Sequence, residues 1–393
     1  MSQFNTVLEK RQFSKGIHYE LAHFISACKI VGDPHECLGT IIHIAGTNGK
    51  GSTAHYVSTL LIDAGYKVGV FSSPHFRHYS ERIKINHHCI AKSEFDTRLQ
   101  TLLDTPEFNE LTEFELITLL GFCYFRDHAV DFCVLETGLG GRLDATNVVS
   151  KSLSIITPID LDHQSILGDD ICSIAYEKAG IIKPNSHAFS ADQTEAVAKV
   201  LKQAASKKQA NLNLITVPQE WRSLLPDLPF YLQDNSFLAF KALLDASYIS
   251  LSPEDAARCL YRTSCLGRFT TIRYGKGQLV LDSAHNPAAI RSLIQAVKTQ
   301  FSTQSITFIL GVQDTKPAEE MIALIQEAGW DVKYCYFDKN RSKHLCSSCA
   351  EVPILSWPFP LPTTGITVFT GSIYFLGDIL RKYPELLQDY STL

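Results

Sequence analysis

No stretch of this chain runs to 18 consecutive apolar residues, and Met1 to Lys15 is mixed and polar, without the apolar core of a signal peptide. Neither a membrane span nor a secretory leader is therefore expected, and a cytoplasmic location follows. Positive charge is not in excess either. Against 36 Lys and Arg stand 41 Asp and Glu, a formal net charge of -5, so nothing draws the chain to nucleic acid in general. Any anion site must be local. A disulfide framework is also lacking: the 11 cysteines are an odd number, scattered on apolar stretches such as Phe132-Cys133-Val134, which suits reduced, buried thiols. Cys346 and Cys349 have CxxC spacing, but no second pair lies near them, and no metal or redox role is assigned there. Internal repeats are absent.

What remains is an ordinary globular composition, 45% hydrophobic and 20% charged. A chain of 393 residues is too long for one core and suits two, at about 150 residues per domain. Strand-like apolar runs alternate with amphipathic stretches: Ile41 to Ala45, a helix from Ser52, Lys67 to Phe71, a helix over Glu113 to Phe125, Phe132 to Leu135, and Leu153 to Ile156. This alternation predicts an α/β fold with a parallel sheet covered on both faces. A second series begins near Gly277: Gln278 to Leu281, a helix over Pro287 to Thr299, Ser305 to Leu310, a helix over Ala318 to Ala328, Val332 to Phe337, and Ile366 to Phe369. Between them, a helix opened by Ser252-Pro253-Glu254 gives way to the irregular Ser264-Cys265-Leu266-Gly267-Arg268, which places a hinge near residue 265 and divides the chain into 1–264 and 265–393. Val352 to Pro362 holds four prolines and can be neither a regular helix nor a central strand.

Local chemistry begins after the first strand, with Gly46-Thr47-Asn48-Gly49-Lys50-Gly51-Ser52-Thr53 leading into helical Ala54 to Ala64. Glycines let backbone N–H groups turn toward phosphate oxygens, Lys50 supplies a point charge, and Ser52 at the helix start can reach a metal ion. The order departs from G-x-x-x-x-G-K-[ST], because Gly51 separates Lys50 from Ser52. The rival reading is a Gly-rich turn that binds nothing, although three glycines around a lysine are costly in chain entropy for a casual turn.

This loop resembles that of the Mur ligase superfamily, specifically its folylpolyglutamate synthase and dihydrofolate synthase branch. Further matches follow in family order: Ser72-Ser73-Pro74-His75, Leu111 to Glu115, Leu135 to Asn147, Leu161-Asp162-His163, Glu177-Lys178-Ala179-Gly180, Gln233-Asp234-Asn235, Gly267-Arg268-Phe269, Asp282 to Pro287, and Thr370 to Tyr374. The resemblance spans residues 14 to 380 or so. It implies a P-loop ATP-binding parallel-sheet domain followed by a smaller Rossmann-like α/β domain. It also implies ATP-dependent ligation of L-glutamate to dihydropteroate, to a reduced folate, or to both, through an acyl phosphate, by a monomer.

The site residues are carried over position by position. ATP would meet Thr47, Asn48, Gly49, Lys50, Gly51, Ser52, Asn235, Arg268, Asp282 and Asn286. Two magnesium ions would be held by Ser52, Ser73, Glu136, His163 and Lys178, the last as a carbamate. Pterin would be lined by Thr112, Glu113, Phe114, Glu115, Leu143, Asp144 and Ala145. Lys50, His163, Lys178, Arg268 and His285 would carry the chemistry, with His285 near the incoming glutamate. On chemistry alone, Glu136 ends a strand where open α/β sheets place ligands, and magnesium takes oxygen donors. Taken alone, His163 reads as a hydrogen-bonded structural residue and Asn235 equally as a helix cap. Two departures stand out: Leu266 replaces the family's proline, and Tyr19-Glu20-Leu21 replaces a Leu-Gly-Leu type segment. The 45 residues ahead of Gly46 leave no room for the extra domain of cell-wall Mur ligases. A non-catalytic ATP-binding regulator is the alternative of another class.

Overall fold

The computed structural model describes residues 8, 11, 21–301, 305–338, 342–346, 349 and 351–387. Tyr19 and Glu20 lie outside them. Two sheets organise the chain. The first contains β1 (Thr40–Ala45), β2 (Val68–Phe71), β3 (Ile83–Ile85), β4 (His88–Cys89), β5 (Phe132–Glu136), β6 (Leu153–Ile156), β7 (His187–Ala191) and β8 (Asn211–Ile215), in the order β4-β3-β2-β5-β1-β6-β7-β8. The second contains β9 (Thr270–Tyr274), β10 (Gly277–Leu281), β11 (Ile306–Leu310), β12 (Asp331–Cys335), β13 (Ile354–Leu355) and β14 (Ile366–Thr370), in the order β13-β12-β11-β14-β10-β9.

Both sheets are parallel through their centres. The antiparallel pairs are β2 with β3, β3 with β4, and β9 with β10. Side-chain alternation builds a core on each face of the first sheet. Ile42, Ile44 and Val134 pack against the helices Lys50–Asp63 and Phe230–Asp245, while Cys133 and Leu135 face the helix Glu113–Asp127. In the second sheet Val280, Phe308 and Val368 meet the helices Pro287–Gln300 and Ala318–Glu327, and Leu281, Ile309 and Phe369 meet the helix Ile373–Lys382.

Three sequence expectations change. The helix after the phosphate loop starts at Lys50 rather than Ser52, with Gly49 in the left-handed region at φ 91° as its cap. As a helix cap Asn235 would open a helix at Ser236, but the helix starts at Phe230, so Asn235 lies inside it and caps nothing. There the polar residues find tertiary partners: Gln233 donates to the carbonyls of Leu225 and Leu228 at 2.8 and 3.0 Å, and Trp221 donates to Ser236 at 3.0 Å. Finally, the second series opens with strand β9 at Thr270 rather than near Gly277, while the Pro-rich segment, barred from a central strand, contributes only the two-residue edge strand β13. Among the described residues no helix is long and apolar enough to cross a membrane.

Candidate active site

The carboxyl ends of β1, β5 and β6 meet at one edge of the first sheet, where parallel α/β sheets offer a crevice. From β1 the chain turns at Gly46, whose Cβ would lie 1.9 Å from the Thr157 hydroxyl, and at Gly49, whose Cβ would lie 2.5 Å from the Asn235 Oδ1. No side chain fits at either place, so the glycines serve close approach and the left-handed turn. Thr47 is tied to the segment after β6: its hydroxyl donates to the Asp160 carbonyl and accepts from the Asp160 N–H, both at 3.0 Å.

Two lysines converge on one carbonyl. Lys50 Nζ donates to Gly46 O at 3.1 Å and Thr47 O at 3.3 Å, and Lys178 Nζ donates to Gly46 O at 2.9 Å. Burial and the nearby Lys50 charge pull Lys178 down to about 7, so near neutrality much of this amine is uncharged. An uncharged amine is the form that adds carbon dioxide, which fits the carbamate. Burial lowers Lys50 as well, opposed by Glu136 and Asp162.

Glu136 is buried at the end of β5, with Oε2 accepting from Ser73 N–H at 3.2 Å. Burial pushes its carboxyl up, against the pull of Lys50 and Arg268. An ideal Cβ on Gly51 would lie 3.5 Å from both Glu136 Oε2 and Arg268 Nη2, so the arginine of the expected hinge and the acid of β5 converge over the start of the phosphate-loop helix. Ser52 is buried in that first turn. Carboxylate and hydroxyl oxygens are the donor types that suit magnesium. Among the described residues no group of three or more His, Cys, Asp and Glu is placed to hold a metal. The expected set of Ser52, Ser73, Glu136, His163 and Lys178 contains only two residues of those types, Glu136 and His163.

The structure does not join His163 to Lys178 by a contact. Instead His163 stands at φ 52°, and its Nε2 lies 3.2 Å from Lys316 Nζ. Burial and Lys316 lower it to about 4, so the ring is neutral and turns a lone pair toward a cation. Lys316 also pairs with Asp162 Oδ1 at 2.6 Å. Burial pushes Asp162 up, but Lys316, His163 and His285 outweigh it and hold the carboxyl well below the usual range. His285 Nδ1 donates to Ser283 O at 2.9 Å, leaving Nε2 3.7 Å from Asp162 Oδ2, and burial then Lys316 lower it to about 4. Asn286 and Asn48 exchange side-chain amide bonds at 3.0 and 3.3 Å, which ties the second sheet to the phosphate loop.

Asp282 is engaged by the chain itself: Oδ2 accepts from the Tyr231 hydroxyl at 2.7 Å and Phe269 N–H at 2.8 Å, and Oδ1 from Ala284 N–H at 2.9 Å. Arg268 donates to the Ser283 hydroxyl. The sequence reading gave no role to Asp162, Tyr231 or Lys316. Lys316 follows β11, and the rule that ligands gather beyond the carboxyl ends of strands points to it.

Of the expected pterin residues, Thr112 and Glu115 form a capping box on the helix Glu113–Asp127, and Glu115 also meets His23 at 2.7 Å. Glu113 makes a buried ion pair with Arg82 at 3.0 Å. Phe114 presses on Gly138, where an ideal Cβ would lie 2.6 Å from the ring, and meets Phe71 edge-on. Asp144 Oδ2 accepts from the N–H groups of Gly138 and Leu139, both at 2.9 Å, and Ala145 belongs to the core. Leu143 is half-buried in the same loop.

The glutamate ligase domain of Mur ligases matches residues 267–356. The chain is similar to the dihydrofolate synthase/folylpolyglutamate synthase of Bacillus subtilis (strain 168), at 30% identity over 386 residues, covering 86% of this chain and 89% of that protein. It is 32% identical over 308 residues to the protein of the same description from Escherichia coli (strain K12), covering 75% of this chain and 72% of that one. In fold it is similar to E. coli FolC in complex with DHPP and ADP, with a TM-score of 0.84, 24% identity and 98% of each chain covered.

Proposed function

The chain belongs to the dihydrofolate synthase/folylpolyglutamate synthase family, and from that premise we propose how its residues divide the work of an ATP-dependent ligase that joins L-glutamate to a pteridine carboxylate. The observation that carries the reading is the convergence of Lys50, Arg268 and Glu136 around Gly46 to Ser52, with Lys178 on the same Gly46 carbonyl.

ATP lies along residues 47–52, with Asn235, Arg268, Asp282 and Asn286 around it. The acceptor carboxylate attacks the γ-phosphorus, ADP leaves, and an acyl phosphate results. The glutamate amine, as its free base, then attacks the acyl carbon, inorganic phosphate leaves, and the proton lost from the attacking nitrogen passes to the departing phosphate. Lys50 and Arg268 offset the charge on the transferring phosphoryl group. Magnesium at two sites drawn from Ser52, Ser73, Glu136, His163 and a carbamylated Lys178 would supply further positive charge at the phosphate oxygens. His285 orients rather than deprotonates: an imidazole held near 4 is too weak a base for an ammonium, but its bare Nε2 accepts a hydrogen bond from one.

The acceptor lies against Phe114 and the loop carrying Leu143, Asp144 and Ala145, with its flat ring beside the phenyl. The chain acts as a cytoplasmic monomer, free of nucleic acid, in two domains that meet between residues 264 and 265.

ADP release with ATP, magnesium and L-glutamate tests the reading, with dihydropteroate in one assay and tetrahydrofolate in another. Turnover with both acceptors establishes a bifunctional enzyme, and turnover with one identifies a monofunctional enzyme. ATP binding without any turnover would replace the ligase with a regulator.

A further inference from the structure

His43 is an oddity of β1. Its neighbours in the strand, Ile42 and Ile44, are aliphatic, and in register it lies between Leu135 of β5 and Ser154 of β6. The ring is wholly buried, and Nδ1 has no hydrogen-bond partner among the described residues. An aliphatic residue would avoid that cost, so the retained imidazole calls for a reason.

The reason lies at the other ring nitrogen. His43 Nε2 is 2.8 Å from the Thr146 hydroxyl oxygen. That hydroxyl donates its single proton to Asp144 Oδ1, which also accepts from Thr146 N–H at 3.0 Å. With the Gly138 and Leu139 N–H groups on Oδ2, the carboxylate accepts at all four of these contacts. Since Thr146 has spent its proton on Asp144, it must accept from His43. This fixes the tautomer with the proton on Nε2 and leaves Nδ1 bare. A neutral ring agrees, because burial, with Lys183 nearby, lowers His43 to about 3.

We propose that His43 is a positioning residue for the pteridine acceptor: through Thr146 it sets the plane of the Asp144 carboxylate and thereby the loop from Gly138 to Asn147. The inference rests on the reading that this loop lines the acceptor site. His43 stands three residues before Gly46, so one strand aligns the acceptor loop with the phosphate loop. The acceptor carboxylate and the γ-phosphoryl group must meet between those loops.

The test is steady-state kinetics on His43→Leu, His43→Gln, Thr146→Val and the double variant His43→Leu/Thr146→Val, using whichever of dihydropteroate and tetrahydrofolate the wild type turns over. His43→Leu and Thr146→Val should each raise the acceptor KM about tenfold, the cost of one buried hydrogen bond, and leave the KM values for ATP and glutamate unchanged. The double variant should be no worse than either single one, because both cut the same relay. His43→Gln, whose amide N–H can reach the position of Nε2, should recover most of the loss. A fall in kcat with all three KM values unchanged, or additive effects in the double variant, overturns the inference. Thr146→Val cuts the relay from the other end, so a folding defect in the strand variant still leaves a decisive measurement. Absence of wild-type turnover with any pteridine would remove the functional reading and this inference together, whereas wild-type turnover with unchanged acceptor KM in the variants removes this inference alone.

Discussion

Lys316, beyond the end of β11, forms a 2.6 Å ion pair with Asp162, beyond the end of β6, and both side chains are largely buried. The pair joins the two sheets at the site itself, beside His163, His285 and Asn286. A buried pair adds little net stability, but removing one partner strands the other charge. Lys316→Met should therefore lower unfolding stability by about 3 kcal/mol. Lys316→Met combined with Asp162→Asn should cost less than the sum of the two. A double-mutant cycle by thermal unfolding measures the coupling, and full additivity would show that the two side chains do not share this energy.

The same pair carries a pH dependence of definite sign. Asp162 is held below its ordinary range in the fold, so the unfolded chain takes up this proton first as pH falls. Its contribution is fully present above the unfolded carboxyl value of about 4 and is lost as pH falls below it. Asp162→Asn should flatten the stability curve on the acid side of pH 4 and leave its slope near neutrality unchanged. Denaturant melts across that range check it.

Lys50→Ala removes a half-buried amine that folds back on Gly46 O and Thr47 O. ATP affinity should weaken and turnover fall by about 10²–10³. Calorimetric titration with ATP separates the two effects. Unchanged affinity together with unchanged turnover would show that residues 46–52 do not cradle phosphate.

Much of this site was legible because it is local. Gly46 to Ser52 lies in one turn, Glu136 ends one apolar run, and Arg268 stands in one irregular segment. What escaped depends on residues distant in sequence. Asp162 and Lys316 are 154 positions apart, and no periodicity links them. Asn235 offers a cap as one of two readings because Asp234-Asn235 imitates a helix start, whereas Gln233 and Ser236 are satisfied by tertiary bonds that no local rule anticipates. Strands β7 and β8 went unread because His187 to Ala191 and Asn211 to Ile215 mix polar and small residues into short runs.

Gly49→Ala tests the loop's geometry rather than its charge. Gly49 sits at φ 91°, and a Cβ there would lie 2.5 Å from Asn235 Oδ1. The left-handed backbone alone costs a side chain about 1–2 kcal/mol. The variant should lose at least that much stability and bind ATP more weakly. Adding Asn235→Ala should recover only part of the lost stability, because it opens the space and leaves the backbone strain in place. Full recovery would assign the whole effect to the clash.

Lys178 allows a test that does not depend on turnover. Its amine is buried and lowered to about 7, so near neutrality much of it is already the free base, and its addition to carbon dioxide then releases one further proton to give the carbamate anion. With ¹³C-bicarbonate, the wild-type protein should show a carbamate carbonyl resonance that is missing from Lys178→Ala. On the carbamate reading the same substitution should lower turnover by about 10²–10³, since it removes oxygen donors for magnesium at the phosphate oxygens. A short added carboxylate should restore part of the rate, because it returns oxygen donors to the space vacated by the side chain. Near-normal activity of Lys178→Ala would remove the carbamate from the mechanism. A lost resonance with full activity would make the modification incidental to catalysis.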